Sequence, residues 1–483
     1  MSWKLIAKAL RNRDMQKRLL IVGFILVIYR ILAHIPIPVA DAAQLRDAIS
    51  QTVQNQEVFA FFNLLSGGAL ANFSIVMMGL GPFINGSIIM QLLRKVVPSL
   101  EALDKEGEQG RTKINQYTRI LAVPLGIGQA IAMIFLLNSG SKGQGLKSVL
   151  GFDIVANASP WDWVVMVTAL VGGSILLMWL GELISEQGVG NGISILIFIG
   201  IVTQLPRLLS TSLGLLNPGG EQSIDIFGLF SIPISPVGAA FVIGFSLASI
   251  LVTYLIVKLN EATRQLTINY AKRVQGNRAY GGVTTILPIK LITAGVIPII
   301  FAVSFLTVPG FIGGLIKGSK IEWLSSAGSW LEKIFTLNPY NTGGAAFGGG
   351  FSVLQVYLYP VIYFSLVIAF TYFYTGFTFN TKEIAENLQK QGGFLAGIRP
   401  GKSTERYLKK VVGRLTLFGS ISLGLIAVMP FITQLIVQRF LPISQLAQLF
   451  TLGGTGVLIT VAVAIETLRQ IESRALIVTY DDH

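Results

Sequence analysis

Long apolar segments alternate with short polar connections along almost the whole chain. Such segments are long enough to cross about 30 Å of hydrocarbon as helices. Ten spans are predicted, at residues 19–38, 74–93, 116–138, 161–183, 192–213, 234–259, 288–313, 351–379, 413–433 and 444–468. They divide into two halves of five, residues 1–230 and 231–483. Because five is odd, the second half enters the membrane from the opposite face, and halves that share a fold are related as inverted repeats.

The stretch from Phe61 to Leu93 departs from this regular pattern. Its first part is a short apolar segment broken by Gly67-Gly68, too short to cross a bilayer. Its second part is long enough to span, yet it contains Gly81-Pro82 and two amide side chains. Lipid does not satisfy freed carbonyls or buried amides, so this span is predicted to face a partly wet cavity lined by protein. The pattern therefore predicts a path through the membrane with a short segment lying in it.

Composition sets the class of protein. The chain has 483 residues, of which 52% are hydrophobic and 13% are charged, whereas soluble proteins carry about a quarter charged residues. An all-α polytopic membrane protein is the predicted fold class. With no cysteine and only two histidines, His34 and His483, the sequence offers no disulfide framework and no zinc site. We find no paired carboxylates and no nucleophile–base dyad either, so we expect no enzyme activity, no catalytic residue, no metal and no cofactor.

The net charge of +13 is concentrated in particular connections. Lys and Arg gather in the N-terminal arm and in the connections at 94–119, 258–290 and 382–414. The positive-inside rule makes that side cytoplasmic, together with both termini. This topological bias accounts for much of the excess positive charge. It does not account for how the two longest basic loops are built.

Both long loops are predicted to be structured. In the first, Gln265–Tyr270 and Gly281–Ile286 can pair as a hairpin with Lys272, Arg273 and Arg278 at its tip. In the second, residues 380–412, we expect a short helix at 382–390, a stop at Gly392-Gly393, and a further helix capped by Ser403 or Thr404. Cationic protrusions of this kind suit the docking of a large anionic partner.

Several aliphatic residues lie next to helix breaks, and two interpretations of them stay open. They are Leu80, Ile84, Ile193, Ile197, Ile300 and Ile459. Residues of this type ordinarily pack or face lipid. Alternatively, they form a hydrophobic constriction that excludes ions by dewetting.

Two other classes of function are considered. A secondary transporter with inverted repeats needs a coupling acid near mid-membrane, and the candidates Glu182, Glu186 and Glu466 all fall near span ends. Arg30 lies in the outer part of the first span, where its side chain can snorkel. A docking scaffold without a pore is the third class, and it would tolerate polar residues at the six aliphatic positions.

The sequence resembles the SecY family, the central subunits of the bacterial protein-translocation channel. The resemblance begins in FNLLSGGAL, MGLGPFI and SIIMQLL within residues 62–93. It continues in family order through EGEQGRTKINQYTR (106–119), MWLGELISEQGVGNGISI (178–195), NYAKRVQGNRAY (269–280), LPIKLITAGVIPIIFA (287–302), TKEIAENLQKQGGFLAGIRPG (381–401) and GGTGVLI (453–459).

The resemblance implies an hourglass channel that passes unfolded secretory polypeptides and releases transmembrane segments sideways into lipid. By position, the apolar pore ring falls on the six aliphatic residues above. A short re-entrant plug helix falls on residues 59–72, including Phe62, Asn63, Leu64, Ser66, Gly67, Gly68 and Ala69. The lateral gate lies between spans 2–3 and 7–8, with Asn85, Gln91 and Thr293 as its polar residues. Ribosome and SecA docking falls on Lys272, Arg273, Arg278 and Arg399.

The resemblance also implies partners and a location. The partners are SecE and SecG in a heterotrimer, the ATPase SecA, the ribosome through its RNA, signal sequences, nascent polypeptides and membrane lipid. The location is the bacterial cytoplasmic membrane. Three positions depart from the family pattern: Gln187 and Asn277 stand where basic residues are usual, and Ile292 stands where a polar gate residue is frequent.

Overall fold

The computed structural model describes residues 12–37, 49, 63, 66–139, 159–206, 210, 224–226, 230–232, 236–270, 273–275, 278–280, 284–295, 297–317, 319, 321–335, 350–440 and 444–481. This part of the chain is mostly helical. The helices are α1 (Arg13–Leu32), α2 (Gly81–Val96), α3 (Pro98–Lys105), α4 (Glu108–Ser139), α5 (Pro160–Gln187), α6 (Gly192–Val202), α7 (Pro236–Glu261), α8 (Ile297–Lys317), α9 (Glu322–Phe335), α10 (Gly350–Thr378), α11 (Thr381–Lys390), α12 (Lys402–Phe440) and α13 (Ser444–Asp481). The strands are β1 (Ile224–Ile226), β2 (Phe230–Ile232), β3 (Thr263–Tyr270), β4 (Arg273–Gln275), β5 (Arg278–Tyr280), β6 (Thr284–Lys290) and β7 (Gly393–Leu395).

Five helices in the described residues are long and apolar enough to cross a membrane. Four of them lie within α4, α5, α7 and α12, and the fifth, Leu358–Lys390, runs from α10 through α11. Two shorter apolar helices correspond to α6 and the first part of α8. The ends of these elements follow local chemistry. Asn191, for example, caps α6 by accepting hydrogen bonds from the amides of Ile193 and Ser194.

The prediction of a second span at residues 74–93 is wrong over its first third. Residues 74–80 form turns, and helix α2 begins only at Gly81. Pro82 therefore starts a helix and does not interrupt one, because its missing N–H falls in the first turn, where amides have no intrahelical partner. Ser74 instead pairs with the loop after α1: its hydroxyl donates to the carbonyl of Leu32 at 2.6 Å, and a β-bridge joins it to Pro36.

The seventh span begins later than its predicted start at residue 288. Strand β6 runs to Lys290, a turn with Gly295 at φ +62° follows, and α8 starts at Ile297. The amphipathic helix α9, the small hairpin β1–β2 and the strand β7 have no counterpart in the sequence-based expectations. Helix α12 begins at Lys402, so neither Ser403 nor Thr404 is its cap; the Thr404 hydroxyl donates back to the Arg399 carbonyl at 3.0 Å.

The two long basic loops come together in one unit. Strands β3 and β6 pair antiparallel from Thr263↔Lys290 to Asn269↔Thr284, and β7 from the other loop pairs with β3. Beneath this three-stranded sheet lies a hydrophobic cluster that joins it to α11 and α12. The buried members are Leu266, Ile268, Ile289, Ala385, Leu388, Leu395, Leu408 and Val412.

The base of this unit is fixed to the C-terminal helices. The amide of Leu291 donates to the Ala262 carbonyl at 2.8 Å, and Arg469 on α13 donates to the Asn260 carbonyl at 3.2 Å. Burial and nearby Arg469 lower the pKa of Lys290, while Glu466 opposes that change. The paired strands therefore project from a rigid base.

Two apolar clusters lie among the helices. The larger one takes residues from α1, α2, α5, α6, α7, α8, α10, α12 and α13, and so draws on both halves of the chain. The smaller one lies around the segment that precedes α2 and includes Leu70, Phe73 and Met77. Helix α8 packs against α2 and α4, and α6 packs against α13, so the halves meet along two seams.

Candidate functional site

The six aliphatic residues singled out in the sequence lie in one hydrophobic cluster. Leu80 and Ile84 come from the start of α2, Ile193 and Ile197 from α6, Ile300 from α8, and Ile459 from α13. Five of them are at most 9% exposed, and Ile193 is partly buried against them. Four elements from both halves thus contribute branched apolar side chains to the same cluster, which extends beyond these six residues.

The predicted plug lies partly outside the described residues, including Phe62 and Leu64. Asn63, Ser66 and Ala69 are buried. From Ser66 to Phe73 the backbone forms turns, so a plug helix is not observed in that stretch. Asn63 organises the turns by accepting a hydrogen bond from the Ala71 amide at 2.8 Å.

Gly67 and Gly68 pack too tightly for any side chain. Their φ angles are +66° and +90°, which glycine adopts without strain. A Cβ on Gly67 would lie 2.6 Å from the Tyr29 hydroxyl and 2.9 Å from the Gly200 Cα, and one on Gly68 would lie 2.5 Å from the Gln204 side chain. The pair therefore lets this segment lie directly against α1 and the end of α6.

Arg30 has hydrogen-bond partners inside the protein that the sequence did not reveal. Its side chain turns inward, and Nη1 donates to the Gly67 carbonyl at 2.7 Å and to the Thr203 hydroxyl at 3.2 Å. The Gly67 carbonyl lies within hydrogen-bond reach of the guanidinium, so an inward position gives both groups a partner. Sequence reasoning missed this role because it depends on where residues 66–68 lie in space.

The predicted gate residues lie near the seam between α2 and α8 but are not joined to one another. Asn85 is half-buried on α2. Gln91 donates to Ser87 one turn earlier on its own helix at 3.0 Å, and its Oε1 atom is buried without a hydrogen-bond partner. Thr293 lies in the turn before α8 and donates to the Lys290 carbonyl at 3.0 Å. The hydrogen bonds described for Gln91 and Thr293 are local, whereas Ile292 is buried in the large apolar cluster.

A contact that the sequence did not reveal crosses between the halves. The guanidinium of Arg94, at the end of α2, lies 4.2 Å from the ring centroid of Phe377, near the end of α10. Arg94 also forms an ion pair with Asp104 at 2.9 Å, and its side chain is 12% exposed. A cation over an aromatic face in such a dry place is attracted by the ring quadrupole. This contact joins the end of α2 to the end of α10.

The proposed docking residues are described to different extents. Lys272 lies outside the described residues. Arg273 and Arg278 belong to the paired strands β4 and β5, with Arg278 opposite Gln275. Arg399 is exposed in the turn between β7 and α12. Because β7 pairs with β3, the hairpin and the Arg399 turn belong to the same folded unit.

Of the acids weighed for ion coupling, Glu182 and Glu186 lie in the last two turns of α5, whereas Glu466 lies inside α13, which continues past the predicted span end at residue 468. Glu182 forms a two-point ion pair with Arg119, both contacts at 2.8 Å, which ties α5 to α4. Glu466 lies close enough to Lys290 on β6 to influence its pKa. Among the described residues, no group of three or more His, Cys, Asp or Glu side chains could hold a metal ion.

These features define a class: a polytopic helical membrane protein in which two sets of helices enclose a shared apolar centre. The family model for SecY matches residues 74–468. The Streptomyces coelicolor protein translocase subunit SecY is 38% identical over 468 residues, covering 97% of this chain and 96% of that protein. The chain belongs to the SecY family.

Solved structures show the same fold. One is of a SecY protein whose plug domain is described as stabilising the closed state and maintaining a membrane seal. It aligns with a TM-score of 0.60 at 19% identity, covering 93% of this chain and 90% of that one. Another is the canine Sec61 channel from a ribosome–channel complex of the endoplasmic reticulum, with a TM-score of 0.55 at 20% identity and the same coverage.

Proposed function

We propose that this chain is the pore-forming subunit of a protein-conducting channel. It passes unfolded secretory polypeptides across the membrane and releases hydrophobic segments sideways into lipid. It catalyses no covalent reaction. Its relatives are named as protein translocase subunits, and the matched structures include protein-conducting channels.

The observation that carries this proposal is the shared burial of Leu80, Ile84, Ile197, Ile300 and Ile459, with Ile193 packed against them. Aliphatic side chains exclude ions because a narrow apolar passage does not hold water. They also seal around any passing chain, because dispersion contacts are not directional. A ring of this kind closes at rest and widens without breaking hydrogen bonds.

The remaining parts of the channel follow from this centre. Residues 59–72 act as the plug beneath the ring. The seam where α2 and α4 meet α8 acts as the lateral gate, with Asn85, Gln91 and Thr293 supplying its polar character. Ten spans in two inverted halves, residues 1–230 and 231–483, surround the pore, and both termini lie in the cytoplasm of a bacterial cell.

The partners are proposed from the charge of the exposed loops and from the likeness to the SecY family. The hairpin residues Lys272, Arg273 and Arg278 and the exposed Arg399 dock SecA or ribosomal RNA, because clustered cations bind a polyanion or an acidic surface. Two of the matched structures are of ribosome-bound channels, which supports the ribosome as a partner. SecE and SecG complete the complex around the lipid-facing helices, while signal sequences and nascent polypeptides enter through the gate.

Crosslinking tests the proposal directly, because the chain contains no cysteine. Ile84→Cys and Ile300→Cys place a single thiol in the ring, and Leu425→Cys places one on α12, where the side chain is 55% exposed. A secretory polypeptide arrested in transit and carrying one thiol should form a disulfide with positions 84 and 300 but not with position 425. Equal crosslinking at all three positions, or none at the ring, contradicts the proposal.

A further inference from the structure

Consecutive side chains at the end of α1 hold consecutive carbonyls of the plug. The Tyr29 hydroxyl donates to the Ser66 carbonyl at 3.0 Å, in a buried setting. Arg30 Nη1 donates to the Gly67 carbonyl at 2.7 Å. Tyr29 is 2% exposed, so its hydroxyl has little access to water.

The same guanidinium also ties the plug to α6. Nη1 of Arg30 contacts the Thr203 hydroxyl at 3.2 Å, and that hydroxyl donates to the Gly200 carbonyl at 2.8 Å. Gly200 also packs against the plug, because a Cβ added to Gly67 would lie 2.9 Å from the Gly200 Cα. Arg30 therefore connects α1, α6 and the plug through one short network.

These bonds depend on the plug being seated. They end on backbone carbonyls of a turn, and such carbonyls need donors when they are buried away from water. A charged side chain in a spanning helix is costly without a partner, so it usually marks a functional position. If residues 66–68 leave, the network loses two hydrogen bonds at once, and one of them is charge-assisted.

We propose that Tyr29 and Arg30 form a latch that holds residues 66–68 in the resting channel and sets how readily the plug leaves. They are positioning residues, because they act on the plug and do not touch the translocating chain in this state. The inference rests on the proposed function, since it treats residues 59–72 as the plug.

The test measures plug exposure through a single thiol. Ala71→Cys gives the chain its one cysteine at a plug position that is 9% exposed. The purified complex in lipid vesicles is treated with a water-soluble maleimide, and the labelling rate of this chain is followed. Two variants remove the donors, Tyr29→Phe and Arg30→Met. A third, conservative variant, Arg30→Lys, retains a charged donor. The matched controls are Tyr372→Phe and Arg414→Met, at exposed positions on α10 and α12.

We expect labelling to rise about fivefold in Tyr29→Phe and about tenfold or more in Arg30→Met, which correspond to one neutral and one charge-assisted hydrogen bond. Labelling in Arg30→Lys should rise less than in Arg30→Met, because lysine retains a donor. The control variants should be labelled at the rate of the parent. A second reporter, Ala427→Cys in the buried core of α12, should stay unreactive throughout. That result separates release of the plug from general loosening of the protein.

Unchanged labelling in both latch variants overturns the inference, as does equal labelling in the controls or at position 427. Polypeptide import by the parent complex is measured in parallel. If the parent complex imports polypeptides but labelling is unchanged in the latch variants, the latch is excluded and the proposed function is retained. Absence of import by the parent, with no crosslink to the ring, removes the proposed function itself.

Discussion

Adjacent glycines, Gly67 and Gly68, allow the chain to turn tightly against α1 and α6. Gly67 has a positive φ angle and also leaves no room for a methyl group. From the sequence, the Gly67-Gly68 pair indicated a break in a short apolar segment, and that much was visible without a structure. The close approach of Tyr29, Gly200 and Gln204 was not, because it joins residues more than thirty positions apart in the chain.

Gly67→Ala should destabilise the resting protein by about 1–2 kcal/mol, because alanine is strained at this φ angle and its methyl group meets the Tyr29 hydroxyl. The measurement is the midpoint of thermal unfolding of the purified complex. Gly128→Ala on α4 is the control, since its φ is not positive and no atom lies within 4 Å of the added carbon. There we expect no loss, or a gain of up to about 1 kcal/mol. Equal destabilisation by both substitutions would contradict the account of Gly67.

At the scale of elements, the hydrophobic pattern located apolar segments well and their ends poorly. Pro82 and Gly295 mark helix starts, but the pattern alone could not distinguish a start from a kink. The short helix α11 was predicted almost residue for residue, because its polar composition and the Gly392-Gly393 stop are local signals. Strand β7 was missed because its partner, β3, comes from a distant loop.

The Arg94–Phe377 contact should stabilise the attachment of the end of α2 to the end of α10. A double-mutant cycle with Arg94→Gln and Phe377→Leu should give a coupling free energy of about 0.5–2 kcal/mol in unfolding measurements. The parallel cycle with Lys95→Gln is the control, because Lys95 lies 5.9 Å from the same ring, at the limit of the interaction, and should couple less. If coupling is absent for Arg94, or equally large for Lys95, the Arg94–Phe377 contact does not stabilise this attachment.

Charge reversal at Arg399 should slow transport driven by SecA or by the ribosome on the order of tenfold, because like charges then face the partner. The rate of import into vesicles measures this effect at several salt concentrations. Arg264→Glu, an exposed position at the start of β3, is the matched control and should have a smaller effect. Normal import by the Arg399→Glu variant would exclude Arg399 from docking.

For the whole molecule, the central claim is that side chains from both halves close one passage. The sequence supplied the apolar candidates, and the count of spans predicted an inverted arrangement of halves. It could not supply their common cluster, because α2, α6, α8 and α13 meet only in three dimensions. Of the two seams along which the halves touch, the one at α8 with α2 and α4 agrees with the boundary that the family resemblance implied, whereas the one at α6 with α13 was not predicted.

Ion conductance of the purified complex in a planar bilayer tests this claim most directly. The resting parent should be nearly ion-tight, whereas Ile84→Ser with Ile300→Ser should leak with the plug still present, since hydroxyls hold water in the constriction. Leu417→Ser with Leu425→Ser, two exposed positions on α12, should stay as tight as the parent. A ring variant that conducts no more than these controls would contradict the account.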